Sequence, residues 1–327
     1  MRILFFVITS VLFFACEPEK EYHVNGGRIF GTSYRIVYES SEDHHNEIRS
    51  LLDSFNRSLS TYDSTSIISR INRCEEGVVP DPFFKKVFRT AQMVTDQTNG
   101  AFDMTVAPLV NAWGFGFQKM ADVTSELIDS LLQFVGMHHI DIIDGKVVKK
   151  IPGVMLDGGA IAKGYGVDVV ASHLTSLGVK NYMVEIGGEV ATRGHNPQGN
   201  FWRIGIDRPI DDPLVLERKT ELIVHLSGEA LATSGNYRNF YIRDGKKYAH
   251  TIDPRTGYPV SHNLLSATII APSSMLADAY ATACMVIGLE ESIELVEGIT
   301  DVEACFIIDS DGEYEVIYSS GFHQFLR

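Results

Sequence analysis

The stretch IDIIDGKVVKKIPGVMLDGGAIAKGYGVDVVASHLTSLGVKNYMVEI, residues 140–186, holds the signals that decide the fold. Asp144-Gly145 sits between two strand-like runs. That is the strongest short-range signal for a two-residue hairpin, because such a turn needs positive φ at both positions. A short strand is expected at 154–157, and the Gly158-Gly159 pair then opens a helix over 160–177 that Gly178 closes. Residues 182–186 read as a further strand. A hairpin, then a helix, then strands again, without regular strand-helix alternation, indicates α+β.

The flanking sequence extends the pattern. Towards the N-terminus, 28–38 alternates as one strand, and Ile48, Leu51, Leu52, Phe55 and Leu59 recur at helical spacing. Asp81-Pro82 is an N-cap followed by proline at the first helical position, with Phe84, Val87, Phe88 and Ala91 on the apolar face. Thr124 caps a helix expected to run to 135, where Gly136 ends it. Towards the C-terminus, strands are expected at 202–206, 222–226 and 267–270, with Asp-Gly hairpins at 244/245 and 311/312. An Ala-rich helix is expected over 275–287, before Gly288. The expected fold is therefore α+β, with mixed, largely antiparallel sheets and packed helices. One compact unit over 28–327 is expected, with room for two intimate subdomains.

Hydrophobic residues make up 45% of the 327-residue chain and charged residues 21%, which excludes wholesale disorder, collagen and coiled coil. The net charge of −14 repels phosphate backbones and argues against nucleic acid as a partner. Residues 1–15, MRILFFVITSVLFFA, place Arg2 before an apolar run too short to span a membrane, as a secretory signal does. Cys16 follows directly, then polar residues, as in a bacterial lipoprotein signal cut before a cysteine that receives lipid. The expectation is an exported protein, lipid-anchored through Cys16 to a bacterial membrane and facing the periplasm, with 16–27 a flexible tether. The cysteines at 16, 74, 284 and 305 have neither CxxC nor zinc spacing. Cys284 and Cys305 lie in apolar runs, so no structural disulfide is expected. The His pairs 44/45 and 138/139 read as surface.

Three segments could carry chemistry. LDGGAIAKG, 156–164, joins a strand end to a helix start with Lys163 in the first turn. Backbone N–H groups, the helix dipole and the lysine suit an anion there, and a tight turn with an exposed lysine is the competing reading. Asp278 and Thr282 lie four apart on one helix, so both oxygens share a face. They suit magnesium only beside a phosphate site; otherwise they are a cap or a solvated face. HTIDPRTGYP, 250–259, sets His250 in a turn as either a general base or a loop residue.

Taken together, FGTSY (30–34), LSTYD (59–63), NGAFDMTVAPLVNAWGF (99–115), LDGGAIAKGYGVD (156–168), EIGGEV (185–190), ATSGNY (232–237), HTIDPRTG (250–257) and ADAYATA (277–283) resemble the ApbE family of FAD:protein FMN transferases. The resemblance implies that Tyr62, Ala101, Phe102, Asp103, Asp157, Lys163 and Ile252 contact FAD. Phe30 stands on the flavin side, where the family usually has Met. It further implies that Asp278, Thr282 and the Ala160 carbonyl hold Mg2+, and that His250 is the base. The implied reaction moves FMN from FAD to a Thr or Ser hydroxyl of another protein and releases AMP. Implied acceptors are flavin-carrying subunits of sodium-pumping or Rnf-type electron-transport complexes. A FAD pyrophosphatase and a non-catalytic flavin-binding lipoprotein are the alternatives.

Overall fold

The computed structural model describes residues 20–116, 122–209, 219–236, 240–243 and 246–326. The expected signal segment, Cys16 and the Asp244-Gly245 pair lie outside the described residues. In chain order the elements are β1 (Glu21–Ile29), β2 (Thr32–Ser40), α1 (His45–Leu59), α2 (Ile67–Asn72), α3 (Pro82–Gln97), α4 (Ala107–Ala112) and α5 (Ser125–Leu132). Next come β3 (Ile140–Ile143), β4 (Lys146–Lys149), α6 (Ala162–Ser176), β5 (Tyr182–Ile186), β6 (Glu189–Arg193), β7 (Trp202–Asp207), β8 (Thr220–Leu226), β9 (Ala230–Gly235), β10 (Phe240–Arg243) and β11 (Lys246–Ala249). β12 (Leu264–Ala271), α7 (Ser274–Ile287), α8 (Leu289–Glu297), β13 (Glu303–Ser310) and β14 (Glu313–Tyr318) complete the chain.

Eight strands form the central sheet in the order β1-β2-β5-β6-β9-β12-β13-β14, and every neighbouring pair is antiparallel. The fold is α+β, and strands from both ends of the chain share one sheet. Period-two alternation sorts side chains to its faces. Ile36, Val184, Ile186 and Ala191 pack with α1 and α6, and Ala267, Ile269, Ala304 and Phe306 pack with α7. On the other face Val37, Met183, Leu231, Ile270 and Cys305 meet the β7–β8 hairpin and Phe322.

Local chemistry starts the helices. The Asp81 carboxylate accepts from the Phe84 N–H at 2.8 Å, with Pro82 in the first turn of α3, and Thr124 accepts from Leu127 N–H at α5. Asp168 of α6 accepts from the Ser274 and Met275 N–H groups at 2.8 and 2.9 Å, so a carboxylate sits on the positive end of α7. Asp144-Gly145 and Asp311-Gly312 adopt positive φ at both positions, as two-residue hairpins demand.

Several expectations are corrected. The single strand over 28–38 is a hairpin turning at Phe30 (φ 51°) and Gly31 (φ 76°). Its first strand, Glu21–Ile29, takes in residues 21–27 of the expected tether, paired residue for residue from Glu21↔Ser40 to Ile29↔Thr32. Helix α5 ends at Leu132, and a short 3-10 turn at Met137–His139 follows Gly136. Segment 154–157 is reduced to one parallel bridge, Val106 to Met155, because its other side meets the Asn72 side chain rather than a strand. His44 is buried, not surface: its N–H donates to Tyr38 Oη at 2.7 Å. Cys284 and Cys305 are buried in α7 and β13, and Cys74 is exposed; all three are free thiols.

Candidate active site

One cleft of about 940 Å³ opens between the α1–α2 loop, the 101–106 segment, the 157–163 turn, the end of β9, the 250–254 loop and α7. That is the upper end of the size range for small-molecule sites. Phe30, Tyr62, Ala101, Phe102, Asp103, Asp157, Ala160, Lys163, His250, Ile252, Asp278 and Thr282 all line it. Residues scattered over 250 positions of sequence are thus brought to one place.

The centre of the cleft is ionic. Lys163 lies between two carboxylates, forming a close ion pair with Glu189 Oε1 and standing 3.8 Å from Asp278 Oδ1. This geometry depends on Gly164. A Cβ there would lie 2.2 Å from the Ser274 carbonyl oxygen and 2.8 Å from Asp278 Cβ, so only glycine lets α6 and α7 approach this closely. The Gly164 N–H then donates to Asp278 Oδ2 at 3.0 Å. Burial alone would push the Lys163 ammonium down, but Asp278 and Glu189 together hold it well above its usual value. Burial raises both carboxylic acids, against the pull of Lys163. Two carboxylates share one ammonium, and Glu189 Oε2 is buried without a hydrogen-bond partner.

That deficit of positive charge fits a cation beside Asp278. Among the described residues no cluster of three or more His, Cys, Asp or Glu side chains forms a metal cage. A metal here would rely on the Asp278 carboxylate, the Thr282 hydroxyl, the Ala160 carbonyl and oxygens of the substrate, which is the usual manner of magnesium. Ser234 Oγ, at the end of β9, lies 3.2 Å from Thr282 Oγ1 and orients it.

The surrounding walls are held by the protein. Asp157 is raised by burial, opposed by the Gly159 N–H that it accepts at 2.7 Å. Asp103 Oδ1 accepts from Thr105 N–H and Oγ1 at 2.7 and 2.5 Å, and Oδ2 from Met137 N–H at 3.1 Å. Its carboxylate therefore braces the 101–106 segment as well as lining the cleft. His250 follows β11 directly, its ring edge-on to Phe115 at 6.3 Å. The loop beyond it is fixed by the Arg255 fork on Asp253 at 3.0 and 2.9 Å and by Trp113 Nε1–H on the Gly257 carbonyl at 2.8 Å. Ile252 is buried, whereas Tyr62 is 84% exposed at the cleft mouth. Phe30 holds a left-handed backbone that aromatic residues rarely take, and its ring packs on Phe55 at 5.3 Å.

Glu189 and Ser234 went unassigned in the sequence. Glu189 stands just past the Gly187-Gly188 turn of the β5–β6 hairpin, and a carboxylate after such a turn was the available signal. Ser234 lay in the small-residue run ATSG.

The cleft thus sets an ammonium between two carboxylates, with a hydroxyl and an imidazole among its other lining groups, the equipment of an enzyme's site. The ApbE family model matches residues 30–306, and the chain belongs to that family; its curated relatives are transferases. It is 38% identical over 341 residues to the FAD:protein FMN transferase of Vibrio cholerae, covering 100% of this chain and 99% of that one. The Haemophilus influenzae FAD:protein FMN transferase is 37% identical over 324 residues, covering 94% and 92%. The solved structure of the flavin transferase ApbE from Vibrio cholerae superposes with a TM-score of 0.83 at 37% identity, over 94% of this chain and 100% of that one.

Proposed function

We propose that the protein transfers FMN from FAD to a Thr or Ser hydroxyl of an acceptor protein and releases AMP, with Mg2+ as cofactor. The observation that carries this reading is the gathering of Lys163, Asp278, Thr282 and His250 in one cleft of a chain alike, over nearly its whole length, to FAD:protein FMN transferases. The acceptor hydroxyl oxygen attacks the phosphorus on the FMN side, the bridging P–O bond breaks, and AMP leaves. His250 takes the hydroxyl proton, a role typically worth roughly 10² to 10⁴ in rate. Lys163 faces the pyrophosphate and offsets the charge that develops on it. Bound Mg2+, held by Asp278, Thr282 and the Ala160 carbonyl, would neutralise further charge on the same oxygens.

The acceptors we infer are flavin-carrying subunits of sodium-pumping or Rnf-type electron-transport complexes. The enzyme would be exported and anchored by lipid on Cys16 at the periplasmic side of a bacterial membrane. Among the described residues no helix is long and apolar enough to cross a membrane. Mass spectrometry of a candidate acceptor after incubation with FAD and Mg2+ tests the reaction: the expected product carries one FMN on a Thr or Ser. Free FMN formed without acceptor would assign a FAD pyrophosphatase instead, and FAD left intact would assign a flavin-binding lipoprotein.

A further inference from the structure

The extended segment before the Gly-Gly turn has strand-like bonds on both sides, but only one side meets backbone. There Met155 bridges Val106, and the Asp157 N–H donates to the Met104 carbonyl at 2.7 Å. On the other side a single side chain replaces the missing strand. Asn72 Nδ2–H donates to the Leu156 carbonyl at 2.8 Å, and the Leu156 N–H donates to Asn72 Oδ1 at 2.8 Å. Leu156 is fully buried, so no water substitutes for either bond.

Asn72 ends α2, whose other end is fastened to the loop that carries Tyr62. Ser66 Oγ–H and Ser69 Oγ–H both donate to the Ser60 carbonyl, at 2.6 and 3.3 Å. Lys149 Nζ donates to the Asn72 carbonyl at 3.3 Å and secures the C-terminal end. Helix α2 is thus a short strut between the exposed tyrosine at the cleft mouth and the turn on the cleft floor.

We propose that Asn72 is a positioning residue: its amide, acting as a substitute strand, fixes the turn that presents Asp157, the Ala160 carbonyl and Lys163 to the cleft. The inference rests on the reading of this cleft as a FAD and Mg2+ site. Asparagine suits the position because it offers a donor and an acceptor side by side, as a peptide group does. Aspartate has the same shape, but its carboxylate would face the Leu156 carbonyl with no proton to give. The carbonyl of Ala160 lies only four residues beyond that contact.

The test compares wild type, Asn72→Asp and Asn72→Gln well below their melting temperatures. FAD binding is followed by fluorescence quenching across a Mg2+ titration, and transfer to an acceptor is timed in parallel. Asn72→Asp is expected to raise the Mg2+ concentration that half-maximally tightens FAD by roughly 10- to 100-fold, the usual effect of losing a group that orients a metal ligand. It should lower kcat while leaving the acceptor KM unchanged, and Asn72→Gln should recover part of both losses. A lower melting temperature with the Mg2+ midpoint and kcat at wild-type values would overturn the proposal. Should Asn72→Asp fail to fold, Asn72→Gln carries the readout alone, because its amide sits one methylene out of place; a wild-type midpoint there overturns it equally. A wild type that binds FAD with Mg2+ yet transfers nothing would refute the proposed reaction and leave the binding test of Asn72 intact.

Discussion

Gly164→Ala places a methyl group where the structure has no room for one. The new carbon would lie 2.2 Å from the Ser274 carbonyl oxygen and 2.8 Å from Asp278 Cβ. Relief to an ordinary contact of about 3.5 Å needs a shift of over about 1 Å. The nearer obstacle is backbone, so no rotamer change can absorb the clash and α6 must move away from α7. Overpacking of this kind costs about 1–3 kcal/mol, from which the better helix propensity of alanine returns up to about 1 kcal/mol. The functional loss is larger than the stability loss. The same shift would lengthen the 3.8 Å spacing of Lys163 and Asp278 and the 3.0 Å bond from the residue 164 N–H to Asp278. Misplacement by about 1 Å in an active site costs on the order of 10² in rate. The expected variant is therefore folded, modestly less stable in thermal melts, and about a hundredfold slower in flavin transfer to an acceptor. A melting temperature and a transfer rate both near wild type would refute the claim that this backbone contact sets the spacing of the ionic centre.

Three further outcomes are expected. Asp278→Ala should abolish Mg2+-dependent FMN transfer while circular dichroism shows the fold retained, because it removes the one carboxylate among the proposed metal ligands; magnesium-dependent transfer near the wild-type rate would count against the assignment. His250→Ala should bind FAD nearly as well as wild type in fluorescence titrations, yet transfer FMN roughly 10² to 10⁴ more slowly. An equal loss of affinity and rate would make His250 a loop residue rather than the base. Cys16→Ser should leave the protein in the aqueous phase on detergent partitioning, since the proposed lipid is then absent; a variant that stays with the detergent would show that the signal was misread.

What was legible in the sequence depended on how local its cause was. Asp81 and Thr124 bond N–H groups three residues away, and Asp144-Gly145 and Asp311-Gly312 need only their own dihedral angles, so these elements could be read directly. Strand β1 could not. Its VNGGR sequence has the glycines and asparagine of a loop, and it is a strand only because β2 lies beside it. Residues 154–157 misled in the opposite direction: the apolar run is strand-like, but its second neighbour is a side chain 84 residues away. The residues named from the family motifs all line the cleft. Glu189 and Asn72 were not named, because their roles arise from contacts with Lys163 and Leu156 that no spacing in the chain announces.

The pairing of β1 from Glu21 onward has a consequence for where the enzyme can work. With lipid on Cys16, as proposed, residues 17–20 alone separate the anchor from the sheet, and the five steps from Cys16 to Glu21 reach at most about 18 Å. An anchor on so short a leash holds the catalytic body against the bilayer and confines its search to a thin layer above the surface. Acceptors in the same membrane then meet the cleft at an effective concentration set by two-dimensional diffusion, whereas a soluble acceptor gains nothing from the anchor. With that lipid in place, the first strand would do more than close the edge of the sheet: it would favour acceptors whose hydroxyl stands close to the membrane surface.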